Sequence, residues 1–296
     1  MGLDLTDHDP SILGYTKLLS DILKPDPIEF VYIADRLPDA VHIHLPEELK
    51  YPTADEFLEK LSRKVGQYFP DQDQISYEVL QGPIQFDLWH ETWEKEIDLF
   101  IAGSKPKHKG RGLIPRRFVR KSFCSVLLVP VDAPKHIDRI WIPTDFSERS
   151  GEVYELAIQL ASQMKNKPEL NLHHVYQLPH AYYYRGFPKE TILEAIKQTA
   201  EDKWEAFNKQ YNAHDFPNKV IYSKLSGTYI ATDIHSQALD HQADLILMAA
   251  GGKSRFSNLF LGSETEQMAQ HEHQIPLFIV KQKRDHVKLW DLVSPN

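Results

Sequence analysis

Gly252, the Gly262-Ser263 pair and Thr265 are glycine, hydroxyl and helix-start residues close together in the chain, and such residues can cradle an anion. They lie in the stretch from Asp244 to Val280, where Asp-Leu-Ile-Leu-Met-Ala-Ala-Gly-Gly-Lys leads to Leu-Phe-Leu-Gly-Ser-Glu-Thr-Glu and then to Ile-Pro-Leu-Phe-Ile-Val. The pattern reads strand, glycine loop, helix, strand. Glycine lets a backbone approach a ligand closely, and free N–H groups at a helix start attract negative charge, so the chemistry on offer is the holding of phosphate oxygens. Lys253 can neutralise a phosphate or stand as a solvated loop charge. Ser263-Glu264-Thr265-Glu266 and Asp145-Phe146-Ser147-Glu148 are also ordinary helix starts, and neither needs a ligand to explain it.

These residues need a scaffold, and the composition allows one. The 296 residues are 42% hydrophobic and 26% charged, which suits two soluble domains that each bury a core. A net charge of -8 argues against non-specific nucleic-acid binding by the whole surface. The single cysteine, Cys124, cannot form an internal disulfide and fits a reducing compartment. Without a basic-then-apolar leader or an apolar run approaching the roughly 18 residues of a membrane span, the expected location is the cytoplasm, with no membrane partner.

Periodicity supplies the elements. Leu3 to Thr6 reads as a very short strand, and Ile12, Leu13, Tyr15, Leu18, Leu19 and Ile22 have helical spacing. Ile28 to Ile33 is a strand, Thr53-Ala54-Asp55-Glu56 a capping box before Phe57, Leu61 and Val65, and Ile75 to Leu80 a further strand. A helix over Ile84 to Glu96 and strands over Asp98 to Ala102 and Val126 to Val129 complete the first half. The second half repeats this order. Asp4-Leu5-Thr6 matches Asp145-Phe146-Ser147, Asp98 to Ile101 matches Asp244 to Leu247, and Val126 to Val129 matches Leu277 to Val280. The halves meet near Pro130 to Lys135. Apolar strands alternating with helices predict two tandem α/β domains with five-stranded parallel sheets, 1–133 and 134–296. A ligand then lies beyond the carboxyl ends of the strands, where the loops after Thr144, Val175 and Met248 should meet.

Other constellations are read as structural. His271 and His273 would point about 200° apart on a helix with no third metal ligand, and His173 and His174 face opposite sides of a strand, so no metal site is expected. Cys124 reads as a buried small hydrophobe. Tyr182-Tyr183-Tyr184-Arg185 reads as an interaction surface or a lid. Lys105, Lys107, Lys109, Arg111, Arg116, Arg117, Arg120 and Lys121 form a basic loop, either solvated or open to an acidic partner.

The quoted residues resemble the universal stress protein family, twice and over essentially the whole chain. The family's G-x2-G-x9-G-[ST] signature is matched by Ala249-x2-Gly252-x9-Gly262-Ser263, and its opening P-x-D-x-S by Pro143-Thr144-Asp145-Phe146-Ser147. The resemblance implies two Rossmann-like, adenine nucleotide alpha hydrolase-like domains. They would form an intramolecular pseudo-dimer through antiparallel pairing of Val126–Val129 with Leu277–Val280, with a further homodimer left open. It implies a cytoplasmic stress-response module binding ATP or a related adenine nucleotide, with or without magnesium, at most one per chain, and no catalytic residue. Asp145 would hold the ribose and Val175 the adenine. Met248, Ala249 and Gly252 would line the sugar and phosphates, Gly262, Ser263 and Thr265 would complete the phosphate site, and Thr144 and Lys253 join this set. Two residues depart from the pattern. Ala249 adds a methyl group, and Glu264 would cost roughly 3 kcal/mol if its charge stood about 5 Å from a phosphate. The first half keeps Asp4 but lacks the later Gly-Ser, so no nucleotide is expected there. The rival readings are a protein-interaction module without nucleotide, acting on an unknown protein partner, and a slow ATP hydrolase lacking an evident general base.

Overall fold

In the computed structural model, the described residues are 1–25, 27–34, 46, 52–70, 74–81, 84–104, 118–119, 122–179, 188–211, 216, 218–251, 263–270 and 274–281. They fall into two units, one built on Met1–Lys135 and the other on His136–His271 with Ile275–Lys281. The first contains β1 (Gly2–Leu3), α1 (Asp9–Leu23), β2 (Ile28–Ala34), α2 (Ala54–Gly66), β3 (Ile75–Gln81), α3 (Ile84–Glu94), β4 (Leu99–Gly103) and β5 (Ser125–Val129). Helix α1 buries Ile12, Leu13, Tyr15, Leu19 and Ile22, the stripe its spacing predicts, and ends at Lys24 in the left-handed region (φ 48°) just before Pro25. At the start of α2 the capping box is complete. The Glu56 N–H donates to Thr53 Oγ1 (3.3 Å) and the Thr53 N–H to Glu56 Oε2 (2.8 Å).

The first unit departs from a single five-stranded sheet. Its ladders are β1-β2-β3 and β4-β5, each parallel. The reason is the brevity of β1. The reading of Leu3 to Thr6 as a strand fails because the Asp4 carboxylate accepts from the Thr6 N–H (3.2 Å) and hydroxyl (2.5 Å), and Leu5 takes φ 58°. Two extended residues remain, and they approach β4 through Gly2, where a Cβ would come within 2.9 Å of Phe100 Cζ. Just beyond, Asp9 is fully buried. It accepts from the Asp4 N–H (3.3 Å), and Lys64 of α2 sits 2.9 Å from its second oxygen while donating to Thr6 O (2.7 Å). Burial pushes the Asp9 carboxyl above the usual carboxylate range, against the opposing pull of Lys64.

The second unit contains β6 (Arg139–Pro143), α4 (Glu148–Gln163), β7 (Glu169–Tyr176), α5 (Lys189–Tyr211), β8 (Asn218–Lys224), α6 (Ile230–Asp240), β9 (Leu245–Ala249), α7 (Ser263–Gln270) and β10 (Leu277–Val280). Its five strands run parallel in the order β10-β9-β6-β7-β8. The chain winds outward from β6 through β7 to β8, then returns to β9 on the other side. The order therefore reverses between β6 and β9, the place where open sheets of this kind take ligands beyond the carboxyl ends of their strands. Ile140, Trp141, Ile142, Leu245, Ile246, Leu247 and Leu277 are buried, as strands covered on both faces require.

Alternation along β7 sends His173 and His174 to opposite faces. His173 lies 5.0 Å from Trp141 ring to ring, and its Nε2 is 2.9 Å from Ser223 Oγ of β8. That hydroxyl donates to Asp233 Oδ2 of α6 (3.2 Å), whose Oδ1 accepts from the Ser226 N–H (3.3 Å) and hydroxyl. Burial holds the His173 imidazole down at about 4, although the Asp233 charge pulls the other way; His174 and His241 add to the lowering.

These buried groups make stability depend on pH in one unit and on an ion pair in the other. The folded state favours neutral His173, because its folded pKa of about 4 lies below the usual unfolded value near 6.5. Its stabilisation is therefore complete above about pH 6.5 and is lost as pH falls toward 4, by about 2–3 kcal/mol at pH 4.5. Urea midpoints measured at pH 7 and pH 4.5 should converge in His173→Gln relative to the parent; an equal acid loss in both would contradict this. In the first unit, Lys64→Met should lower stability at pH 7 by about 2 kcal/mol, by leaving a buried carboxylate unpaired, and adding Asp9→Asn should restore part of it. A Lys64→Met protein as stable as the parent in urea would contradict the pairing.

Candidate functional site

The carboxyl end of β6 is a corner built by its own hydrogen bonds. The Thr144 N–H donates to His173 O (2.9 Å), and Thr144 O lies 2.8 Å from His174 Nδ1. Thr144 Oγ1 accepts from the Phe146 N–H (3.0 Å). Asp145 Oδ1 accepts from the Ser147 N–H (3.0 Å) and from Ser150 Oγ (2.9 Å), while the Asp145 N–H donates to Ser150 Oγ (3.2 Å). These bonds hold Phe146 at φ 58°, a costly conformation for a large residue. The displaced ring is absorbed by aromatic packing, with its centroid 5.1 Å from His174, 5.8 Å from Phe207 and 6.1 Å from Trp204. Ser147 then caps α4, accepting from the Ser150 N–H at 3.5 Å.

The other side of the reversal is the end of β9. Met248 is buried and Ala249 half-buried, and the buried Thr265 donates from Oγ1 to Ala249 O (2.9 Å), tying the first turn of α7 to the strand end. Glu264 accepts from the Ala231 N–H (3.2 Å) at the start of α6, where Tyr229 supplies no side-chain cap. Its charge thus meets the positive end of a helix, which stabilises it. On the far side of β6, the ladder pairs Pro143 with His173, which carries Asp145 to the level of half-buried Val175. The structure therefore gathers Thr144, Asp145, Val175, Met248, Ala249 and Thr265 at one edge of the sheet. Gly252, Lys253 and Gly262 lie outside the described residues. Ser263 opens α7 as expected, but its side chain is also outside them.

Sequence reasoning missed the array of His173, Ser223 and Asp233. Its residue types are those of a hydrolytic triad, but the serine stands in the middle and donates to the aspartate, and the histidine is 1% exposed. A nucleophile needs its hydroxyl directed at the histidine and open to substrate, so this array is structural. Its only sequence signal is a polar residue on the buried face of a strand. The Asp145 carboxylate, already bonded to Ser147 and Ser150, is a poor candidate for activating a water.

The equivalent corner of the first unit has the same left-handed residue, Leu5 at φ 58° like Phe146, and the same carboxylate-to-backbone turn. The neighbouring strand end differs. Gly103 occupies the place of Ala249 in the repeat, and the His8 ring sits on it so closely that a Cβ would fall 2.7 Å from Cε1, with Ile12 Cδ1 at 2.9 Å. His8 Nε2 lies 3.0 Å from Val129 O. Side chains of the amino-terminal segment therefore cover the strand end. The basic run from Lys105 to Lys121, Tyr182 to Arg185, and His271 and His273 lie outside the described residues. Cys124 is buried and in no disulfide, consistent with a small core hydrophobe.

Known proteins agree with this geometry. The model of the universal stress protein family matches residues 136–281, the second unit. A universal stress protein of Methanocaldococcus jannaschii is 27% identical over 148 residues, covering 49% of this chain and 83% of its own. The solved structure of a universal stress protein from Archaeoglobus fulgidus covers 96% of each chain with a TM-score of 0.60 and 17% identity. A putative universal stress protein from Pseudomonas aeruginosa covers 96% of this chain and 92% of its own, with a TM-score of 0.61 and 12% identity. At such identities the structural likenesses speak for the fold alone. The family match spans β6 through β10 and both sides of the reversal. The second unit of this chain, residues 136–281, belongs to the universal stress protein family.

Proposed function

We propose that the second unit binds ATP or a related adenine nucleotide, one per chain, with or without magnesium, in a tandem universal stress protein that acts as a cytoplasmic stress-response module. The observation that carries this reading is the convergence of Thr144, Asp145, Val175, Met248, Ala249 and Thr265 at the strand-order reversal. In it, Asp145 faces ribose hydroxyls, Val175 lies against the adenine, and Met248, Ala249 and Gly252 line the sugar and phosphates. Gly262, Ser263 and Thr265 take the phosphates, and Lys253 and Thr144 border the site. An open parallel sheet supplies such a crevice without any catalytic group, which suits a sensor better than a hydrolase. As part of the same proposal, Val126–Val129 and Leu277–Val280 pair antiparallel to make an intramolecular pseudo-dimer; a crystal structure with these strands apart would contradict that part.

The rival is a module that acts through protein contacts without nucleotide. It is favoured by Ala249, which puts a methyl group where the family signature has glycine. Equilibrium titration with ATP separates the two. The parent should bind saturably, and Gly262→Asp, which puts bulk and negative charge into the phosphate loop, should bind at least tenfold more weakly, as should Asp145→Ala, about 1.4 kcal/mol each. No saturable binding by the parent, or unchanged affinity in Gly262→Asp, would end the nucleotide reading.

A further inference from the structure

At the opposite, amino-terminal edge of the same sheet, His136, Asp138 and Asp244 converge from two chain segments 106 residues apart. We propose that they form a binding site for a divalent first-row transition ion of the zinc class. The site is organised by Asp244, whose side chain is only 13% exposed. Its Oδ2 accepts from the Asp138 N–H (2.8 Å) and the Arg139 N–H (2.9 Å), and its own N–H donates to Arg139 O (2.9 Å). One carboxylate oxygen is thereby fixed to the start of β6, and Oδ1 is turned toward His136.

The spacing is that of ligands around an ion. His136 Nε2 lies 3.7 Å from Asp244 Oδ1 and 3.7 Å from Asp138 Oδ2, and all three atoms fall within 4.8 Å of one another. These separations are too long for hydrogen bonds. Atoms bound about 2.0–2.2 Å from a tetrahedral zinc are roughly 3.3–3.5 Å apart, so small side-chain rotations would bring the set into coordination. His136 and Asp138 have side chains 64% and 58% exposed, leaving them free to make that adjustment and leaving room for water at the remaining positions.

The donor set determines the class of ion. Magnesium and calcium favour all-oxygen shells, whereas one imidazole nitrogen with two carboxylate oxygens suits zinc and its neighbours. A bound dication would also offset the mutual repulsion of Asp138 and Asp244. The nearby Arg139 guanidinium is held by Gln242, bonding its backbone O (3.2 Å) and Oε1 (3.1 Å). The site stands at the other end of the sheet from the proposed nucleotide site and does not depend on nucleotide binding.

The test is calorimetric titration of the full chain with zinc chloride in the absence of nucleotide. The chain has 15 histidines, so loss on mutation, rather than uptake alone, decides. The parent should take up one ion at this site, and His136→Ala and Asp138→Asn should each weaken that uptake at least tenfold while thermal midpoints without metal stay unchanged. No saturable uptake by the parent, or a His136→Ala titration that superimposes on the parent's, would overturn the site. ATP affinity should be the same in both variants and the parent, which keeps this test separate from the nucleotide reading.

Discussion

Strand β6 is hydrogen-bonded on both sides and buried on both faces, and this constraint organises the second unit. A strand in that position carries a polar side chain only where a hydrogen-bond partner is built in, as Ser223 is for His173 on β7, because otherwise it would be buried without water. Ile140, Trp141 and Ile142 meet the requirement, and polar chemistry is displaced to the two ends. At one end Thr144 and Asp145 turn the chain into α4; at the other, Asp138 and Arg139 are held by the Asp244 carboxylate. A buried central strand thus produces two polar edges, and both sites proposed for this unit lie on them.

The two units show how one corner can be kept for different ends. Both contain a carboxylate that accepts from the backbone two residues on, and both force the intervening residue to φ 58°. In the second unit the next helix supplies Ser150, a neutral hydroxyl that bonds Asp145 and leaves the corner polar. In the first, the equivalent position is Asp9, a buried carboxylate that requires Lys64 beside it, and His8 is packed onto Gly103. Burial of a charge is costly unless it is paired, so the first unit's polar groups are engaged with one another. A ligand there would have to displace a packed imidazole, whereas at β9 the wall is formed by strand and helix backbone.

Much of this was legible in the sequence because it is local. Helical spacing located α1, the Thr53–Glu56 pair located the start of α2, and alternation placed His173 and His174 on opposite faces. The repeat between Asp4 and Asp145 survives down to the backbone conformation of Leu5 and Phe146. Boundaries failed where one residue turned left-handed: Leu5 cut β1 short, and α3 stops at Glu94, two residues before Glu96 at φ 48°. The remaining misses are contacts between distant segments. Glu264 reaches Ala231 33 residues away, Ser223 reaches His173 across 50, and His136 meets Asp244 only because β6 and β9 are neighbours. No local pattern encodes such pairings; they appear only once strand order is known.

The two units differ at corresponding strand ends: His8 and Ile12 pack onto Gly103 in the first, whereas in the second Thr144, Asp145, Met248 and Ala249 gather at the strand-order reversal. Native mass spectrometry of the full chain with ATP tests this most directly, by counting bound nucleotides. A single nucleotide per chain at saturation is the expected result. Two nucleotides per chain, or none, would contradict it.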